Sequence, residues 1–200
     1  MANVSSISGL SPVGYLNGAP WNAQGRRYCI PSTDGNAYAI GDPLAYAGSA
    51  DANGVATVIL ATAGTGNAVL GSLLGMGGRT YGGPSVDTAN LETTIIPATK
   101  TRAYYVTVAD DPNTIFEIEE ESTGTALAAA DVGLNANLVA GTNNGYVSGW
   151  MLDRTGAAVT ATLQVRLLGL AQRANNAFGD YAKWWVIINN HSYRIGQVGI

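Results

Sequence analysis

The feature that most constrains this chain is the stretch YYVTVADDPNTIFEIEEE at residues 104–121. Tyr104, Val106 and Val108 alternate with Tyr105, Thr107 and Ala109, a period of two built from residue types that suit a pleated, half-buried surface. Asp110, Asp111, Pro112 and Asn113 follow, combining turn-forming side chains with a proline that has no amide to give to a central ladder. From Thr114 the alternation resumes, with Phe116 and Ile118 on one face and Ile115, Glu117 and Glu119 on the other. The pattern predicts two antiparallel strands joined as a hairpin, one face in the core and the other mostly in water.

Similar punctuation runs through the chain. Its 26 glycines and 7 prolines are scattered rather than pooled, which marks many tight turns. Asp34-Gly35, between segments 28–30 and 38–40, and Asn53-Gly54, before 55–61, tolerate the positive φ that tight hairpins demand. Further strands are predicted at 68–74, 146–152, 160–168 and 183–188, with a short helical turn in the Ala-rich stretch 122–131. The glycine-rich stretch 71–84 reads as a flexible surface loop, because it contains no GxxxxGK[ST] pattern and no strand–loop–helix context for a phosphate loop. Strands separated by turns without long helices predict an all-β fold, an antiparallel β-barrel or sandwich of jelly-roll type.

Residues 1–26 differ from the rest. Gly9, Pro12, Gly14, Gly18, Pro20 and Gly25 interrupt any period, so this segment is predicted to be an extended N-terminal arm on a single β body at 27–200. Tyr15, Leu16 and Trp21 lie in it beside Arg26 and Arg27, and aromatics and arginine are enriched at protein interfaces. These five are the candidate contact residues; packing of Trp21 back onto its own domain is the competing reading.

Composition narrows the function classes. Charged residues make up 12% of the chain, against about 25% for a typical domain, which suggests a surface made to meet protein. A net charge of −4 gives no footprint for a phosphate backbone, so no nucleic-acid partner is expected. The opening residues lack a basic start followed by an apolar run, and no apolar run reaches about 18 residues, so neither a Sec-type signal nor a membrane partner is expected. The single Cys29 reads as a small buried side chain. The single His191 reads as a solvent-facing or turn residue, and no GxSxG elbow accompanies it. Asp110, Asp111, Glu117, Glu119, Glu120 and Glu121 carry the oxygens for Ca²⁺ or for a glycosidase pair, yet the aspartates suit their turn and Glu117 and Glu119 an exposed strand face. No enzyme activity, cofactor or metal site is expected.

The segments YLNGAPWNAQGRRYCIP, GDPLAYAGSADANG, YYVTVADDPNTIFEIEEE, DVGLNANLVAG, LQVRLLGL and AKWWVIINNH together resemble the capsid cement, or decoration, proteins of tailed bacteriophages, over most of the chain. The resemblance implies an all-β virion protein on the outer surface of an expanded icosahedral head. There it would bind the major capsid protein and itself, as a homodimer or homotrimer, and hold neighbouring capsomers together. It implies no catalytic residues. The alternative is a head-fibre or tail-associated module that binds a host glycan, for which Trp and Tyr beside carboxylates in a groove are expected. Trp184-Trp185 is the only local hint of one, and adjacent strand residues face opposite ways.

Overall fold

A computed structural model describes residues 3–76 and 94–194. In chain order its strands are β1 (Ser11–Tyr15), β2 (Arg26–Ile30), β3 (Tyr38–Ala39), β4 (Pro43–Ala50), β5 (Ala56–Leu60), β6 (Gly71–Met76), β7 (Ile95–Ile96), β8 (Tyr104–Ala109), β9 (Thr114–Glu119), β10 (Asn135–Ala136), β11 (Leu138–Val139), β12 (Met151–Leu152), β13 (Val165–Leu170) and β14 (Lys183–Ile188). A 3-10 turn at Ala129–Asp131 sits inside the predicted helical stretch. The fold is all-β. Strands β2-β5-β4-β6-β8 close into a barrel, and β1-β9-β14-β13-β10 form a five-stranded sheet. Pairing is antiparallel except between β2 and β5.

The strands predicted from residues 104–121 are where the alternation puts them, but they are not a hairpin. β8 pairs with β2 on one edge and β6 on the other. A strand inside a closed barrel has no free edge, so the chain must leave after Ala109, and β9 pairs instead with β1 and β14. The turn itself is real: the Thr114 N–H donates to the Asp111 carbonyl at 3.0 Å, and the Asn113 N–H to Asp111 Oδ1 at 2.8 Å. Asp34-Gly35 fails as a hairpin for the same reason, since both edges of β2 are taken and β3 pairs with β7. Asn53-Gly54 does join neighbours: β4 and β5 are antiparallel, Gly54 has φ 79°, and its N–H donates to the Asp51 carbonyl at 3.1 Å.

Other expectations shift in extent. The first six residues of the glycine-rich stretch are β6, with Leu73 buried inside the barrel, rather than surface loop; the stretch after Met76, and Ile195 at the end of the short segment 193–195 that the sequence places after the Asn189-Asn190 turn, lie outside the described residues. Within 146–152 only Met151–Leu152 is strand, and the strand predicted from residue 160 begins at Val165.

Two cores result. One fills the barrel with Ile30, Leu44, Val58, Leu73, Val106 and Val108. The other lies on the inner face of the sheet, where Phe116, Ile118, Val165, Leu167, Trp184 and Val186 meet Leu10, Leu138, Trp150 and Leu152. The burial of Phe116 and Ile118 follows the alternation of β9. Its opposite face is not wet as predicted. Glu119 is buried and accepts from Lys183 Nζ at 2.5 Å, Ser5 Oγ at 2.7 Å and the Ser6 N–H at 2.7 Å, while Glu117 pairs with Arg173 at 2.7 Å. Glu120 is enclosed further in, accepting from Trp184 Nε1 at 2.8 Å and Arg154 Nη1 at 3.3 Å. Arg154 also holds Asp180 at 2.7 Å and the carbonyls of Ser122, Thr123 and Gly124. Each buried carboxylate therefore meets a cation or several donors, as burial of charge requires.

The N-terminal segment does join its own sheet, contrary to the expectation of a separate arm. β1 is an edge strand on β9, Leu10 is fully buried, and Asn3 Nδ2 donates to the carbonyls of Ala177 and Asp180. Its periodicity was hidden by Pro12 and by a bulge between Pro12 and Gly14, which resets the face that later residues present. The outer edge of β1 is closed by the returning chain, with the Tyr15 N–H donating to the Ala19 carbonyl at 3.0 Å. Where this segment meets the barrel only glycine fits: a Cβ on Gly41, at φ 92°, would lie 2.1 Å from the Ser8 carbonyl oxygen.

Candidate functional site: a polar cleft at the end of the barrel

Arg26 opens β2 and Asp110 follows the last residue of β8, and because these strands are antiparallel neighbours the two meet at one end of the barrel. Arg26 Nε lies 3.7 Å from Asp110 Oδ2. The same carboxylate oxygen accepts from the Tyr28 hydroxyl at 2.5 Å and the Tyr193 hydroxyl at 3.1 Å. Tyr193 shares a further 2.6 Å hydrogen bond with each of Tyr28 and Tyr46. The rings of Tyr28 and Tyr46 meet edge to face at 5.9 Å, and Arg26 sits over the Tyr193 ring at 5.6 Å. Burial, and then the neighbouring carboxylate of Asp110, raises the Tyr28 phenol well above its ordinary value, and burial likewise pushes Tyr193 up to about 12. The Tyr28 and Tyr193 hydroxyls thus stay protonated, and the hydrogen bonds among the three tyrosines hold the rings in place.

His191 supports this cluster from behind. It is buried rather than solvent-facing, its Nδ1 accepts the Tyr193 N–H at 3.0 Å, and its ring lies 5.3 Å from that of Tyr193. Burial, with Arg194 nearby, lowers its pKa to about 4. A neutral histidine whose Nδ1 is occupied by a backbone amide has no role as a general base toward the cleft.

In front of the tyrosines lies an open cleft of about 540 Å³, lined by Tyr15, Gln24, Gly25, Arg26, Asp110, Asp111, Pro112, Asn113 and Tyr193. The 110–113 turn forms one wall. The other is the chain between β1 and β2, held by Asn22, whose Oδ1 accepts from the Tyr15 hydroxyl at 2.9 Å and the Gln24 N–H at 3.2 Å. A smaller cleft of about 270 Å³, lined by Ala45, Tyr46, Thr62, Asn67, Ala68 and Ser192, lies beyond the Tyr46–Tyr193 pair, whose rings are 6.0 Å apart.

Of the five contact candidates, Tyr15 and Arg26 line the large cleft together. Trp21 lies with its ring tilted against Tyr15 at 5.5 Å and packs, half-buried, against the core of the sheet, the competing reading for that residue. Leu16 is exposed beside them. Arg27 points away from Arg26 across β2; it is exposed, and its guanidinium has no partner among the described residues. Sequence reasoning missed Tyr46, Tyr193 and the linking role of Asp110, because the hydrogen-bonded tyrosines stand 147 and 165 residues apart and no local pattern relates them. The tryptophan pair is elsewhere: Trp184 is buried on Glu120, and Trp185 is half-buried on the opposite face of β14. Cys29 is buried, as its reading predicted. Among the described residues no three His, Cys, Asp or Glu side chains gather into a metal set. The cleft thus sets aromatic rings held in place by hydrogen bonds beside amide, carboxylate and guanidinium groups. Compared with known proteins, the chain matches no family model, no curated protein and no solved structure.

Proposed function

We propose that this chain is a structural virion protein that attaches to the outer surface of an icosahedral phage capsid and stabilises contacts between capsomers, working as a homo-oligomer against the major capsid protein. The sequence resemblance motivates this reading. The observation that best supports it is the ledge formed by the chain between β1 and β2, which carries exposed Leu16 and Trp21 tilted against Tyr15 and runs into β2, where Arg27 has no partner among the described residues, on a frame pinned at both ends. An ordered ledge of this kind loses little entropy on docking, so each contact adds a small favourable increment that multiplies over a lattice of sites.

The test is to titrate the purified chain against expanded capsids that lack it and to read occupancy by quantitative electron microscopy. Saturable decoration is expected, with Leu16→Asp combined with Arg27→Glu weakening it about tenfold or more, or about 1.4 kcal/mol. Absence of decoration by the wild-type chain would end this reading; full decoration by the double variant would move the contact surface off the ledge.

A further inference from the structure

We propose that the cleft at the end of the barrel is a binding site for a linear neutral saccharide, with Tyr15 and Tyr193 as its aromatic walls and Gln24, Asn113 and Asp111 as its hydrogen-bonding partners. The proposal is tested apart from capsid attachment: Tyr15 belongs both to the ledge and to the cleft, but Leu16 and Arg27, the positions varied in the decoration test, do not line the cleft.

A sugar ring is amphipathic: it offers a C–H face to an aromatic ring and a rim of hydroxyls to amides and carboxylates. The cleft supplies both kinds of surface. Tyr193 is 41% exposed, yet its hydroxyl is bound to Asp110, Tyr28 and Tyr46, so a ring open to ligand is already fixed in place. Tyr15, which lines the same cleft, is braced by Trp21 and by Asn22. The Gln24 and Asn113 side-chain amides are exposed and make no hydrogen bond among the described residues, and Asp111 uses one carboxylate oxygen on the Asn113 N–H and leaves the other open. These groups converge on a volume of about 540 Å³, inside the range of about 300–1,000 Å³ common to small-ligand sites, which also favour barrel mouths.

Backbone geometry at the rim agrees. Ala23, immediately before Gln24, has φ 62°, a left-handed conformation that a residue with a Cβ adopts at a cost, and such strain gathers at recognition sites. Asn22, bonded to both Tyr15 and Gln24, holds that conformation and so orients one wall and one amide together. A linear chain is favoured over a single sugar because the Tyr46–Tyr193 pair continues the aromatic surface into the second cleft, where Thr62, Asn67 and Ser192 add hydroxyl and amide groups. Polyanions are disfavoured: Asp110 and Asp111 line the cleft, and its single cation among the described residues, Arg26, already faces Asp110. A wholly apolar ligand would leave the amides unpaired.

Isothermal titration of the full chain with cellohexaose, maltohexaose and N-acetylchitohexaose tests this. At least one of the three is expected to bind with Kd of about 1 mM or tighter. Gln24→Ala combined with Asn113→Ala, both at exposed positions, should weaken that binding about tenfold with an unchanged melting transition, and Tyr193→Phe, which keeps the ring, should bind better than Tyr193→Ala. Leu16→Asp should leave saccharide binding unaltered. The proposal is overturned if none of the three sugars binds, if the double variant binds as the wild type does, or if an oligolysine peptide is taken up by the cleft in place of sugar. Failure of capsid decoration bears on none of these outcomes.

Discussion

Replacing Leu10 by alanine separates an N-terminal segment that belongs to the fold from one that serves only a partner. Leu10 is fully buried in the core of the sheet; its N–H donates to the Gly41 carbonyl at 2.9 Å and its carbonyl accepts Ser72 Oγ at 2.6 Å. Its backbone is thus held from both sides, so the surroundings cannot collapse into the space left by the missing side-chain atoms. Buried leucine truncations of this kind cost about 2–5 kcal/mol, and anchoring puts Leu10→Ala near the middle, at about 3 kcal/mol. With a urea slope of about 2 kcal/mol per molar, the unfolding midpoint should fall by about 1.5 M at unchanged slope. Leu16→Ala is the control, since Leu16 is 47% exposed and should stay within about 0.5 kcal/mol of wild type. Equilibrium urea titration followed by tryptophan fluorescence reads both. A shift below about 0.3 M for Leu10→Ala would mean that the N-terminal segment is an appendage after all.

Three further outcomes follow from the packing. Phe116→Ala empties a fully buried position and should cost about 3–5 kcal/mol in the same titration. Arg154→Ala strands the Glu120 carboxylate, with no exposed surface of its own, in the core; a loss of about 3–5 kcal/mol is expected, and Glu120→Gln in the same background should recover part of it. His191, whose pKa falls to about 4 in the folded chain from an ordinary 6.5, makes stability pH-dependent. Above about pH 6.5 it is neutral in both states and stability is at its full value; between about 6.5 and 4 only the unfolded chain takes up the proton, and stability falls by about 3 kcal/mol. Urea midpoints at pH 7.5 and 4.5 should therefore differ less in His191→Gln than in wild type, and an equal difference would refute the burial argument.

Local pattern by itself determined a good deal of this protein. The alternation in 104–109 and 114–119 located β8 and β9 and named Phe116 and Ile118 as core, the apolar run at 183–188 located β14, and the scattered glycines with these strands pointed to an all-β fold. Asn53-Gly54 marked a true hairpin. These are properties of the pleat and the turn, which a few neighbouring residues decide. Which strands pair was settled only in three dimensions. Asp34-Gly35 and the 110–113 turn carry equally good turn chemistry, yet each leaves a barrel strand whose two edges are already taken, so neither makes a hairpin. Burial of Glu117, Glu119 and Glu120 was likewise hidden, because Arg173, Lys183, Arg154 and the N-terminal serines that satisfy them come from distant parts of the chain. The cleft has the same origin. Periodicity reports which face a residue presents but not what that face meets, and Tyr28, Tyr46, Asp110 and Tyr193 become one site only when barrel closure brings the ends of β2, β4 and β8 under the returning C-terminal segment.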